Sequence, residues 1–310
     1  MRNKRILVTG SSGFIGKSLC RMLNEKGYEN LTVFRSKDHD LTKEKDVDRL
    51  FKEKGPFDWV IHLGATIGGI GFFKENPGRS YYDNVMMNTL ILEKSRLNGV
   101  KKFLGVGSIL SYPAETEIPL KEENLWKGFP DKHTSSYGLS KRMMLAQGQV
   151  YREQYGFKSI HLIMTNLYGA GYDFKIKEPH VIPSMIKKFS NAKEENREEI
   201  TMWGTGKATR EFLYIDDAAE AIILAMEKYN KPEPLNIGSG EEISIKQLAE
   251  KISMITGFKG KIIWDAAKPE GKLRSSVNMN RAREEIRFVA KTTLDEGLKK
   301  TVAWFEECNL

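Results

Sequence analysis

The chain has little cysteine and no long apolar run. Its 310 residues include two cysteines, Cys20 and Cys308, with neither metal-ligand spacing nor a disulfide pattern, so no metal centre is expected and a reducing cytoplasm is the simple setting. No apolar segment approaches the roughly 20 residues that span a bilayer, which argues against a membrane partner. The N-terminus enters its first strand without a charged-then-apolar leader, so no signal peptide is expected. Low-complexity tracts and internal repeats are absent as well. Although the net charge is +8, there is no basic stripe interleaved with aromatics, and nucleic acid is not the expected partner. Scattered lysines read instead as a solvated surface that favours an anionic ligand such as a nucleotide.

What is present is the make-up of an ordinary globular protein, 40% hydrophobic and 29% charged, long enough for one large domain and a smaller lobe. The most informative stretch is Arg5-Ile-Leu-Val-Thr-Gly-Ser-Ser-Gly-Phe-Ile-Gly-Lys-Ser-Leu-Cys20. Ile6-Leu7-Val8 reads as a buried parallel strand. Gly10 then permits a tight turn, Gly13 lets backbone amides approach a pyrophosphate, and Gly16 lets the following helix pack on the strand. With Ser12, Phe14 and Ile15 they form a candidate cofactor cradle at a helix N-terminus, where unpaired N–H groups face the phosphates.

A second strand over Leu31–Phe34 ends in Arg35-Ser36-Lys37. An acidic residue about 20 positions past the glycines would bind the ribose 2′-hydroxyl of NAD. Arg35 stands there with Lys37 nearby, and a guanidinium suits a 2′-phosphate, so NADPH/NADP is the expected cofactor. Asp40 and Leu41 follow. The third strand, Asp58–Leu63, delivers Leu63, Gly64 and Ala65 to the same end of the sheet, and His62 within it reads as packing. A strand from Lys102 delivers Ser108. Tyr137 and Lys141, four apart, share one helix face. An ammonium there would lower the phenol pKa, and a tyrosine so tuned can donate and accept protons near neutral pH. Alternation of strand and helix predicts an α/β fold, a Rossmann-type doubly wound parallel sheet. Residues 1–168 with 215–240 would form the dinucleotide domain, and 169–214 with 241–310 the smaller α/β substrate lobe.

The pattern Gly10-x-x-Gly13-x-x-Gly16, Ser108 and Tyr137-x-x-x-Lys141 resembles the extended short-chain dehydrogenase/reductases acting on nucleotide sugars. Ile67-Gly-Gly-Ile70, Thr165-Asn-Leu-Tyr-Gly169, His180-Val-Ile-Pro183, Trp203-Gly-x-Gly206, Arg210-Glu-Phe-Leu213 and Lys268-Pro-Glu-Gly271 with Arg274 narrow the resemblance to the GDP-L-fucose synthase family. That family epimerises C3 and C5 of a GDP-linked 4-keto-6-deoxy sugar and reduces C4 with NADPH. The resemblance implies Ser108, Tyr137 and Lys141 as catalytic residues, and His180 as a substrate contact with a share in acid–base work. It adds Asn166, Leu167 and His180 to the cofactor site. It implies substrate contacts from Ser108, Asn166, Val181, Lys187, Trp203, Arg210, Lys268 and Arg274. Trp203 could equally be lobe core, and Arg210 could be paired with Glu211 or Asp217. A homodimer through a four-helix interface, built from helices near Pro77–Leu97 and Tyr137–Tyr155, is also implied.

The chain departs from the family at two places. Epimerases of the family carry a cysteine two residues after the serine, and Leu110 occupies that position; leucine can neither remove nor deliver a proton. Ser12 stands where some relatives place an arginine near the 2′-phosphate. The expected activity is therefore C4-keto reduction of a GDP-sugar without epimerisation. A bifunctional epimerase/reductase, an NAD-dependent 4-epimerase and a non-catalytic NADP sensor are the alternatives.

Overall fold

The computed structural model describes residues 3–176, 179–268 and 271–308. The first part of the chain runs β1 (Ile6–Thr9), α1 (Phe14–Glu25), β2 (Leu31–Thr32), α2 (Glu44–Lys54), β3 (Trp59–His62), α3 (Ile70–Glu75), α4 (Pro77–Leu97), β4 (Lys102–Ser108), α5 (Ser135–Tyr155) and β5 (Ser159–Met164). It continues as β6 (Asn166–Tyr168), α6 (Val181–Glu194), β7 (Glu199–Trp203), β8 (Thr209–Tyr214), α7 (Ile215–Lys228), β9 (Leu235–Ile237), β10 (Glu242–Ser244), α8 (Ile245–Thr256), β11 (Lys261–Asp265), β12 (Arg274–Ser275), α9 (Asn280–Ile286) and α10 (Leu294–Cys308).

Six parallel strands form the main sheet in the order β2-β1-β3-β4-β5-β9. Every residue of β1, β3 and β5 is buried, as expected for a parallel sheet covered by helices on both faces. Successive strands depart to opposite sides of β1, so a crevice opens at the carboxyl ends of β1 and β3, where ligands of such sheets bind. The second strand is shorter than the sequence predicts. It is an edge strand and leaves the ladder after Thr32, exposing Val33. Ser11 Oγ then donates to the Phe34 carbonyl at 3.4 Å, which holds this segment beside the glycine turn.

A second layer packs against the first. Strand β8 is joined by β6, β10 and β12, while β7 and β11 form a separate parallel pair. Phe189, Ile186, Leu248, Ile252, Phe258 and Phe305 fill the core between these strands, α6, α8 and α10. Phe288 and Ala282 pack instead with α7 and the main sheet. Ile15 and Leu167 touch both cores, so the seam between them runs past the start of α1 and through β6. Among the described residues, no helix is long and apolar enough to cross a membrane.

Candidate active site

The crevice begins with the glycine turn. Gly10 adopts φ +67°, and a Cβ there would lie 2.9 Å from the Gly64 nitrogen. A Cβ on Gly16 would come within 2.2 Å of the Gly10 carbonyl oxygen, so both positions admit only glycine. Gly13 precedes α1 in extended conformation without a side-chain cap, and it is exposed together with Ser12. The first amides of α1 thus keep their donors unpaired and pointing outward, the arrangement a phosphate group needs. Phe14 meets the ring of Tyr172 edge-on at 5.5 Å. Leu41 is buried beside Gly64. The Asp40 carboxylate accepts from the Thr42 amide at 2.9 Å and hydroxyl at 2.7 Å. Arg35 and Lys37 are exposed just beyond β2.

One strand further on, Ser108 ends β4 and its Oγ accepts the Leu110 amide at 3.2 Å. The turn Ile109–Ser111 that follows presses on α5: a Cβ at Gly138 would stand 2.2 Å from the Leu110 carbonyl oxygen. Gly138 is therefore what lets α5, one residue past Tyr137, pack against the turn that follows Ser108. The Tyr137 side chain is buried, stacked on Phe73 at 5.3 Å with 28° between the rings. Lys141 Nζ lies 5.5 Å from the centre of the Tyr137 ring.

The electrostatics of this pair differ from the sequence expectation. Burial pushes the Tyr137 phenol up from its ordinary value, with no downward pull from the lysine. Burial also lowers the Lys141 ammonium to about 8. Both charged forms lose hydration here, and at this separation desolvation outweighs their mutual attraction. Tyr137 consequently stands as the protonated phenol at neutral pH.

A buried polar chain ties the cradle to this helix. The amides of Leu63 and Gly64 each donate to Thr9 Oγ1 at 3.2 Å. Thr9 Oγ1 in turn donates to His62 Nδ1 at 2.7 Å. His62 Nε2 donates to Asn88 Oδ1 at 3.0 Å, and Asn88 Nδ2 donates to the Ser140 carbonyl at 3.1 Å. Burial first, then the nearby Lys141 charge, lowers His62 to about 3. It is a neutral imidazole with a fixed tautomer. Reading His62 as packing was correct about burial and missed the hydrogen bonds.

The remaining candidates lie on the second layer. His180 precedes α6, its amide donating to Tyr172 Oη at 3.2 Å. Its imidazole, 6.2 Å from the Tyr172 ring, is pushed down by desolvation although the side chain still meets solvent. Val181 and Lys187 are exposed on α6. Trp203 is 65% exposed at the end of β7, which rules out the lobe-core alternative. Arg210 Nη1 donates to the Thr209 carbonyl at 2.7 Å. Glu211 is engaged by the main-chain amides of Gly240 and Val277, and Asp217 by those of Lys291 and Thr292. Asn166 Nδ2 donates to the Glu211 carbonyl at 3.0 Å. Arg274 is held by Glu242 through contacts of 2.6–3.0 Å, and that guanidinium pulls the Glu242 carboxyl down to about 2. Lys268 is exposed beyond β11; Pro269 and Glu270 of its motif lie outside the described residues. Among the described residues, no group of three His, Cys, Asp or Glu side chains could hold a metal ion.

Phe73, Gly138, Thr9 and Asn88 escaped the sequence reading. The Phe72-Phe73 pair behind a glycine-rich loop and a glycine one residue after the tyrosine were the available signals.

Comparison with known proteins adds an independent line. The model of the NAD dependent epimerase/dehydratase family matches residues 6–238. A GDP-L-fucose synthase of Sinorhizobium fredii is 35% identical over 302 residues, covering 97% of this chain and 95% of that protein. Two solved structures from Campylobacter jejuni superpose along the whole chain. A GDP-6-OMe-4-keto-L-xylo-heptose reductase has a TM-score of 0.92 at 27% identity, covering 100% of this chain and 99% of its own. A GDP-mannoheptose C4 reductase with NADP bound has a TM-score of 0.90 at 28% identity, covering 99% of both chains.

Proposed function

From the premise that this chain belongs to the NAD dependent epimerase/dehydratase family, as a GDP-L-fucose synthase-like extended short-chain dehydrogenase/reductase, we propose that it is an NADPH-dependent GDP-sugar reductase. Its substrate is a GDP-linked 4-keto (6-deoxy) sugar, reduced at C4 without epimerisation. The observation that carries this reading is the packing of the turn after Ser108 on α5 at Gly138, beside Tyr137 and Lys141, with β4 next but one to the strand of the glycine turn.

Gly10, Gly13, Gly16 and the first amides of α1 would hold the NADP pyrophosphate, with Arg35 and Lys37 toward the 2′-phosphate and Leu41, Gly64 and Ala65 alongside. Bound NADPH supplies a hydride for C4 of the sugar. Tyr137 delivers the proton to the C4 oxygen, and its raised pKa keeps it in the donating form. Ser108 Oγ donates a hydrogen bond to the same oxygen. The Lys141 ammonium stabilises the phenolate left behind, which then recovers its proton from solvent. Lys187, Trp203, Arg210 and Lys268 hold the GDP diphosphate and base; cations pair well with phosphate oxygens. Residues 1–168 with 215–240 carry the cofactor, and 169–214 with 241–310 the sugar nucleotide.

The absence of epimerisation is supported by Leu110, which stands where epimerases of the family place their cysteine. His180 then has no thiol partner there for moving protons at C3 and C5. Turnover in D2O tests this: the product should carry no deuterium at C3 or C5, and deuterium at either carbon would overturn it. Oxidation of NADPH on addition of a GDP-4-keto sugar separates an enzyme from a sensor.

A homodimer belongs to the same proposal. Tyr81, Tyr82 and Leu97 on α4, with Met143, Val150 and Tyr155 on α5, are exposed, a substantial apolar face for a single chain to leave in water. A cytoplasmic setting completes the reading, consistent with two free cysteines.

A further inference from the structure

Tyr137 and Lys141 sit on one buried turn of α5, and the main chain of that turn is held from outside the helix. Ser140 lies between them, fully buried. Its hydroxyl donates back to the Tyr137 carbonyl at 2.7 Å. Its carbonyl, which shares a peptide plane with the Lys141 nitrogen, accepts Asn88 Nδ2 from α4 at 3.1 Å. Asn88 is itself buried, so no water competes for that bond.

The hydrogens behind this grip follow by elimination. A carbonyl only accepts, so Asn88 must turn Nδ2 toward Ser140 and Oδ1 toward His62. Oδ1 only accepts as well, so the hydrogen of a neutral His62 sits on Nε2, 3.0 Å away. His62 Nδ1 is then a bare acceptor, and the Thr9 hydroxyl donates to it at 2.7 Å. Both lone pairs of that hydroxyl are taken by the amides of Leu63 and Gly64. A protonated imidazole would present a second hydrogen to an oxygen with no lone pair left. The surroundings forbid that state. Burial contributes most to holding His62 down at about 3, and Lys141 on α5 and His161 on β5 both add to it.

We infer that His62 and Asn88 are positioning residues for the proton-transfer pair. They carry the placement of the loop after β3 across to the peptide between Ser140 and Lys141, and by the Ser140 hydroxyl to the Tyr137 main chain. A reacting group must be held within about 0.5 Å of its productive place, and its supporting groups decide whether it is. The order of hydrogens stands on geometry alone, whereas its effect on turnover rests on the reductase reading above.

Nitrogen NMR of the histidine-labelled full chain tests the order of hydrogens. His62, identified as the signal lost in His62→Gln, should be neutral with its hydrogen on Nε2 throughout pH of about 6 to 9. His161 is an internal control. It is equally buried, but it donates to the Met144 carbonyl while its Nε2 has no partner, so its hydrogen should sit on Nδ1. A His62 that titrates in this range, or that carries its hydrogen on Nδ1, overturns the inference whether or not the protein turns over a sugar.

Kinetics test the positioning role. His62→Phe keeps a ring and removes both nitrogens, whereas His62→Gln offers an N–H to Asn88 and a carbonyl to Thr9 in the original order. Thr9 still holds the Leu63 and Gly64 amides in both variants. In His62→Phe, kcat should fall by about 10–10²-fold with KM for the GDP-sugar and the Kd of NADPH within about twofold of the parent. His62→Gln should restore kcat to within about threefold. An unchanged kcat in His62→Phe, a KM that rises in step with the loss, or a His62→Gln enzyme as slow as His62→Phe overturns the role. Should His62→Phe fail to fold, Asn88→Leu cuts the line at its last link, and the same loss of kcat at steady KM is expected. Failure of every GDP-4-keto sugar to oxidise NADPH with the parent enzyme would sink the reductase reading and the positioning role together, and leave the NMR result intact.

Discussion

The two walls of the crevice are made of different materials. At Gly10 to Gly16 the main chain forms the surface, and a single Cβ would collide with backbone at 2.2–2.9 Å. The candidate sugar-nucleotide wall is a set of side chains on separate elements, Val181 and Lys187 on α6, Trp203 at the end of β7 and Lys268 beyond β11, all exposed. A wall of backbone has one shape, set by turn geometry and packing. A wall of long exposed side chains adapts by rotamer and can lose one member without losing the rest. The first should therefore respond to substitution all at once, and the second by degrees.

Four measurements press on that contrast. The largest effect belongs to the seam between the walls. Tyr137→Phe removes the proton donor and should lower kcat by about 10²–10⁴-fold at unchanged circular dichroism; retention of even a tenth of the activity would remove Tyr137 from the chemistry. Next, Gly16→Ala forces a methyl to 2.2 Å from the Gly10 carbonyl oxygen. It should cost about 1–3 kcal/mol in urea unfolding and abolish NADPH quenching in whatever folds. The pH profile comes third. With Lys141 at about 8, turnover should fall as pH rises through that value, since the ammonium is the working form. The contribution of the same group to stability should rise over pH of about 8 to 10.4, because the unfolded chain binds the extra proton there. Opposite signs in one window are a demanding check. The smallest effect should be Trp203→Ala, raising KM for the GDP-sugar roughly five- to tenfold with kcat unchanged, about 1–1.4 kcal/mol. A collapse as complete as that of Gly16→Ala would break the contrast.

Sequence made the main-chain wall readable because its requirements are written as residue types. Gly10, Gly13 and Gly16 at the end of an apolar run fix turn, approach and packing at once, and the order of apolar segments predicts the parallel sheet. Tyr137 and Lys141 were readable through their spacing on one helix face. What burial does to them was not, since the phenol rises and the ammonium falls only because Phe73, Asn88 and the sheet enclose them. Non-local pairings were equally hidden. Arg274 reads as a substrate cation, and its pairing with Glu242, on a different strand, shows only in the fold. Trp203 could be core or surface until β7 proved to end at the lobe's exposed rim.

The hydrogen-bonded line from Leu63 and Gly64 through Thr9, His62 and Asn88 to Ser140 has a single sense. Main-chain amides begin it and a main-chain carbonyl ends it, so each hydroxyl, imidazole and amide between them has only one orientation available. The loop after β3 and the helix that carries Tyr137 and Lys141 are therefore one part. Lobe side chains lie outside that line. A substitution in the lobe therefore leaves every partner of the line in place.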